Sequence, residues 1–200
     1  MQGNDGGETC GSAGVRIAGN VHAITVHPHD ANSVFVGTQG ASSVGLRGGV
    51  VFKTTDGGQR WSLVLPSTTG VSVALDPTAP AIVYAGNAEG IFKSSDGGVT
   101  WARPVGLDSK PVVSLVVDPA HPRTLYARPS DGGIYRSIDG AVTWHQHGLS
   151  NESIMSLAVD PTDSNKLYAG TTTGPSVSRD GGVTWSELDD VLRTKCPCHT

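Results

Sequence analysis

Four acidic side chains, Glu89, Asp108, Asp131 and Glu152, stand in short polar stretches rather than in apolar runs. Two carboxyl groups held about 5–9.5 Å apart can act as acid and base on a glycosidic bond, which makes these four the catalytic candidates. The competing reading is that they are solvated loop residues and that no residue is catalytic. His145-x-His147 has the spacing that puts two rings on one side of a strand, yet no third ligand accompanies them. Cys196-Pro197-Cys198-His199 with Cys10 offers four zinc-type ligands, but Cys-x-Cys-His is not a common zinc-knuckle spacing. The sequence therefore predicts no metal and no other cofactor.

The scaffold that would position such residues is legible as a repeat. TTDGGQRW, SSDGGVTW, SIDGAVTW and SRDGGVTW place Asp56, Asp96, Asp139 and Asp180 ahead of Trp61, Trp101, Trp144 and Trp185, at a period of about 40–45 residues. Each is preceded by an apolar run ending in proline (VHAITVHP, VSVALDP, VVSLVVDP, IMSLAVDP) and then by SVFVGT, IVYAGN, TLYARP or KLYAGT. Three markers keep one order four times.

Each marker has a physical reading. The run that stops at Asp-Pro or His-Pro is a strand, A, ended where proline removes an N–H. The aromatic and β-branched segment is strand B. GVVFKTT, GIFKSS, GIYRSI and GPSVSR are strand C, and the residues that follow the turn open strand D. In the turn between C and D the aspartate can accept backbone N–H groups, the glycines supply positive φ, and the tryptophan returns to be packed.

The segment Ser94-Ser95-Asp96-Gly97-Gly98-Val99-Thr100-Trp101 resembles the Asp-box, or bacterial neuraminidase repeat, found in β-propellers of sialidases, xyloglucanase-type glycoside hydrolases, sortilin-type receptors and photosystem II assembly factors. The resemblance runs from Val21 to Glu187. It implies an all-β fold: a β-propeller of four-stranded antiparallel blades with four Asp-box repeats, as a small ring or a partial propeller. Residues 1–20 are then an N-terminal segment with a candidate closing strand at Gly14–Gly19, 21–187 the propeller, and 188–200 a tail. In a closed ring Cys10 would approach Cys196 or Cys198. The resemblance also makes the box residues Asp56, Trp61, Asp96, Trp101, Asp139, Trp144, Asp180 and Trp185 structural, and favours an extracellular or periplasmic location, although the chain shows no signal peptide. Arg60, Ala141 and Pro175-Ser176 depart from the pattern.

Strand parity places the boxes and the A–B turns at one end of the blades. The other end receives the B–C loops Gln39–Gly48, Asn87–Glu89, Arg128–Asp131 and Thr171–Thr173, and the D–A loops Pro66–Gly70, Gly106–Lys110 and His147–Glu152. A binding site belongs there, on loops held by a rigid scaffold, with Gln39, Arg47, Asn87, Lys110 and Arg128 as ligand-binding candidates.

The inventory of side chains favours binding over catalysis. All 4 Trp, 4 Tyr and 3 Phe occupy repeat positions, which leaves no aromatic platform for a sugar and no tyrosine nucleophile. The formal charge of -4 and the scattered 14 Lys and Arg exclude a nucleic-acid footprint. No apolar run reaches the roughly 18 residues of a membrane span. The expected function is a non-catalytic scaffold presenting a loop face to a protein or glycan partner; the alternative is an extracellular glycoside hydrolase, sialidase- or xyloglucanase-like, or a part of one.

Overall fold

The computed structural model describes residues 2–3, 10–11, 20–39, 50–66, 72–103, 107, 110–150 and 152–188 of the 200. Strands β1 (Gln2–Gly3) and β2 (Cys10–Gly11) form a small antiparallel pair. Four antiparallel sheets follow in chain order. The first joins β3 (Asn20–His27), β4 (Asp30–Gln39), β5 (Val50–Thr54) and β6 (Ser62–Pro66). The second joins β7 (Ser72–Leu75), β8 (Val83–Asn87) and β9 (Gly90–Ser94), and a single bridge from Lys93 to Ala102 stands where its strand D belongs. The third comprises β10 (Val112–Val117), β11 (Leu125–Pro129), β12 (Tyr135–Ser137) and β13 (His145–Gln146). The fourth comprises β14 (Ile154–Asp160), β15 (Asp163–Thr171), β16 (Pro175–Ser178) and β17 (Ser186–Glu187). These are the blades of a β-propeller, each a meander packed face to face on the next. Gly14–Gly19, the loop Gly40–Gly48, Cys196, Cys198 and His199 lie outside the described residues, as does the side chain of Cys10.

Register assigns every strand residue to one of two faces. Thr25, Phe35 and Lys53 form one cross-strand row; the equivalent rows are Ala74, Tyr84, Lys93, then Val116, Tyr126, Arg136, then Ala158, Tyr168, Val177. This front face meets the following blade. Ile24 and Val26, with their counterparts Val73 and Leu75, lie on the rear face, which meets the preceding one. Phe35, Val51 and Leu65 of the first blade thus pack against Val73, Leu75 and Val83 of the second, and Tyr126 and Ile134 of the third against Ile154 and Leu167 of the fourth.

Polar contacts lock the same interfaces. Lys53 Nζ lies 5.2 Å from the Phe35 ring centroid and donates to the Gly97 carbonyl of the next box at 2.7 Å. Lys93 lies 5.4 Å from the Tyr84 centroid and donates to Gly140 O at 2.9 Å. In the third blade Arg136 sits by Tyr126, whose hydroxyl donates to Gly181 O at 3.2 Å. In the first two interfaces a cation over a ring is thereby aimed at the carbonyl of a tight turn. Among the described residues no fourth-blade side chain reaches the first box in this way, and Ile24 and Val26 on the rear face of the first blade are exposed. The described blades follow one another in chain order as an arc.

Inside each blade the box closes the C–D hairpin. The Ser94 hydroxyl is buried, donates to Asp96 Oδ1 at 2.7 Å and accepts the Gly98 N–H at 2.8 Å. Asp96 accepts the N–H groups of Val99 and Thr100 and the Thr100 hydroxyl. These bonds to the charged form hold the carboxyls of Asp96 and Asp180 down at about 2, and Asp139 lower still. Asp56 is also lowered, chiefly by the Arg60 N–H, since Arg60 has no hydroxyl to offer. Gly58, Gly98 and Gly182 accept the indole N–H of Trp61, Trp101 and Trp185 at 3.1, 3.2 and 3.0 Å. In the third box Ala141 takes the glycine's place with φ of 71°, and the buried Trp144 N–H finds no partner.

Three outcomes follow from this geometry. Ser94→Ala strips a buried N–H of its acceptor and should cost about 1–3 kcal/mol in urea melts. Ala141→Gly relieves a left-handed alanine and should raise stability by about 1 kcal/mol; an unchanged or lower midpoint would count against strain at this turn. The box carboxylates have depressed folded values, so their contribution is complete above the unfolded value of about 3.9 and is lost as the pH falls toward about 2. Thermal melts between pH 5 and pH 2 should therefore show a shallower acid slope for Asp96→Asn than for the parent, and parallel slopes would refute the assignment.

Candidate functional site

At the end of the blades opposite the boxes, one B–C loop and one D–A loop converge on a cleft of about 430 Å³. Its walls are Arg128, Ser130 and Asp131 from the third blade, and Ser150, Glu152 and Ser153 from the segment that enters the fourth. The B–C loop is held by Ser130 N–H on Pro111 O at 2.8 Å and Gly132 N–H on Pro129 O at 3.3 Å. Gly132 has φ of 96°, and a Cβ there would come within 3.3 Å of the Glu152 carbonyl. Glycine thus lets the two loops approach. The D–A loop is turned by Leu149, at φ of 44°, whose carbonyl accepts the Glu152 N–H.

The cleft has an asymmetric charge arrangement. Lys110 Nζ lies 2.7 Å from Asp131 Oδ2 and 5.3 Å from the Tyr135 ring centroid. The Lys110 hydrogen bond holds the Asp131 carboxyl below its usual range, and the same bond pushes the Lys110 amine up. Asp131 is thereby kept as a charged partner of lysine, a poor state for a proton donor. Arg128, on β11, is half-buried; desolvation pushes its guanidinium down from its ordinary value, and its Nε is buried without a hydrogen-bond partner. A planar cation with an unused Nε–H beside an exposed Glu152 can take a carboxylate, a carbonyl or a hydroxyl.

Of the candidate residues, Arg128, Asp131 and Glu152 line this one cleft, with Lys110 at its edge through Asp131. Gln39 is exposed at the end of β4, away from it in the chain. Asn87 is buried, and its Oδ1 accepts the Glu89 N–H at 2.8 Å, so its carbonyl is spent on its own turn. Glu89 is half-buried, and its backbone carbonyl accepts a bond from Arg103. Arg47 and Asp108 lie outside the described residues. His147 Nε2 lies 2.8 Å from Gly181 O, while His145 is exposed, and among the described residues no group of three His, Cys, Asp or Glu side chains gathers as a metal site. Sequence reasoning missed Ser130, Ser150 and Ser153 because isolated serines carry no pattern. It also missed the interface cations Lys53, Lys93 and Arg136, although a basic residue recurs after the strand C aromatic in three repeats.

The comparisons agree with this architecture. The model of the family described as Sortilin-Vps10: Sortilin, neurotensin receptor 3, matches residues 89–198. No curated protein matches the chain. Among solved structures the chain is similar to an ancestral GH74 enzyme, with a TM-score of 0.68 at 20% identity over 87% of this chain and 24% of that one. It is similar to a GH74 enzyme of Niastella koreensis with a TM-score of 0.62 at 26% identity, covering 82% and 29%. A third likeness is to the GH74 xyloglucanase from Xanthomonas campestris, with a TM-score of 0.53 at 16% identity, covering 85% and 38%. The chain spans between about a quarter and two fifths of the length of these structures.

Proposed function

The chain belongs to the Sortilin-Vps10 family, and from that premise we propose that it is a non-catalytic propeller module whose B–C and D–A loop face binds a protein or glycan partner in an extracellular or periplasmic setting. The observation that supports this most is Arg128: a half-buried guanidinium with an orphaned Nε, opening on a polar cleft beside Glu152. A cation with an undischarged donor is an anchor for an acidic or carbonyl-bearing group, and arginine in a partly desolvated pocket is a common binding hot spot. The serines around it suit a hydroxyl-rich or peptide ligand.

A second reading has one observation in its favour. Asp131 and Glu152 line the same cleft, and the chain resembles GH74 enzymes in fold. Acid catalysis at Asp131 is opposed by its ion pair with Lys110, which stabilises the carboxylate.

One experiment separates the two. Ligands selected on the purified chain from glycan arrays and displayed peptides should lose at least tenfold in affinity, about 1.4 kcal/mol, on Arg128→Ala, with no turnover of aryl glycosides or xyloglucan oligosaccharides. Ligands indifferent to Arg128→Ala and Glu152→Ala would place binding elsewhere. Turnover abolished by Glu152→Gln would establish the hydrolase reading instead.

A further inference from the structure

One dipeptide in this chain is chemically labile. Asp-Gly occurs at Asp5, Asp56, Asp96, Asp131, Asp139 and Asp180, and at all of these but Asp139 a second glycine follows. Glycine puts no Cβ beside its own nitrogen, so that nitrogen can close on the preceding side-chain carboxyl to give a five-membered imide. Asp5 lies outside the described residues. The other five have nearly the same local sequence, and what separates them is the fold.

In the four boxes the two reacting groups are held to different partners. Each box carboxylate accepts the hydroxyl two residues before it and the N–H four residues after it, as Asp96 does from Ser94 and Thr100. The nitrogen that would attack is held as well. Gly57, Gly97, Gly140 and Gly181 donate their N–H groups to carbonyls near the start of strand B, at 3.0, 2.8, 2.9 and 2.8 Å. Asp131 stands instead on an exposed loop. Its carboxylate is held by the Lys110 ammonium at 2.7 Å, and the two side chains are 56% and 39% exposed. An ion pair so open to water is screened and is a weak restraint. The Gly132 N–H bonds within its own turn, to Pro129 O at 3.3 Å, rather than across to a neighbouring strand.

We propose that Asp131–Gly132 is a site of spontaneous covalent modification, at which aspartate converts to isoaspartate, while the boxes protect the same dipeptide. The Gly132 nitrogen gives up its proton and attacks Asp131 Cγ; a C–N bond forms, a C–O bond of the carboxyl breaks, and water leaves. A second water then opens the imide. Opening at the main-chain carbonyl leaves the backbone running through the former side chain, one methylene longer, with no net change of mass and no oxidant or other reactant. The change falls in the wall of the cleft. It takes the carboxylate out of its place beside Lys110 and lengthens the loop where a Cβ on Gly132 would already meet the Glu152 carbonyl at 3.3 Å.

The test is to store the whole folded chain in neutral buffer for several weeks and to measure isoaspartate in each Asp-Gly peptide by enzymatic methylation and electron-transfer fragmentation. Isoaspartate at Asp131 should form about tenfold faster than at any box, a ratio that corresponds to about 1.4 kcal/mol in barrier. In urea the boxes lose their protection, and the Asp56, Asp96 and Asp180 peptides should convert as fast as Asp131. Lys110→Gln releases the carboxyl and should speed conversion at Asp131 alone. Asp131→Glu, whose carboxyl is one carbon too far for a five-membered ring, should abolish the signal there. Boxes that convert as fast as Asp131 in the folded chain, or an Asp131 that stays intact when folded yet converts in urea, would overturn the proposal. An unchanged rate in Lys110→Gln would overturn the restraint assigned to the ion pair.

Discussion

A backbone carbonyl at the tip of a tight turn, left outside its own hairpin, is the constraint on which the blades depend. The box turns the chain so sharply that Gly97, Gly140 and Gly181 direct their carbonyls outward, toward the preceding blade. Water would satisfy those groups at the surface, but an interface excludes it, and an unpaired polar group there costs about 1–3 kcal/mol. The preceding blade supplies the missing donor: a lysine ammonium in the first two interfaces, and in the third a tyrosine hydroxyl with His147 alongside. Because the ammonium also lies over an aromatic ring, one side chain serves both the polar and the apolar parts of the contact. Blade order and spacing follow from matching ring to seat.

This arrangement also explains why the candidate site lies where it does. The box ends of the blades are committed to one another, so their turns have little freedom to vary. At the opposite end the described loops are held by bonds within a blade, such as Ser130 to Pro111, Glu152 to Leu149 and Lys110 to Asp131. Variation is tolerated there without loss of the blade stack. The cleft at Arg128 forms at the junction of the third and fourth blades, where Gly132 and Leu149 adopt positive φ and bring two loops together.

Much of this was legible in the sequence. The four strand A runs, the aromatic strand B position and the box turns all lie where periodicity and turn chemistry predict, because each is a local rule repeated four times. Asn87 shows the limit: its type suits a ligand contact, but its amide oxygen caps its own turn, and only coordinates tell an Asx turn from an exposed amide. Asp131 shows another limit. The sequence places it on the loop face but does not reveal Lys110 at 2.7 Å, a pairing across 21 residues that lowers the carboxyl from its usual range. The arc likewise depends on how far each blade turns from the last, a quantity that residue patterns do not carry.

The four boxes, compared with one another, rank their own parts. The first lacks the threonine hydroxyl, since Arg60 stands there, and still closes through Thr54 and the Arg60 N–H. The third lacks a glycine and forgoes its indole bond, yet Trp144 stays buried. The fourth lacks the strand C cation, and Val177 packs in its place. All four keep the buried hydroxyl of Thr54, Ser94, Ser137 or Ser178, which accepts the N–H four residues on at 3.0, 2.8, 3.0 and 2.8 Å. The aspartate, though it gives the motif its name, is exposed in the second and fourth boxes and half-buried in the first and third, so it can share its donors with solvent. The hydroxyl cannot, because nothing else reaches the N–H it covers. By this reasoning the first residue of the box, rather than its aspartate, sets whether the hairpin forms.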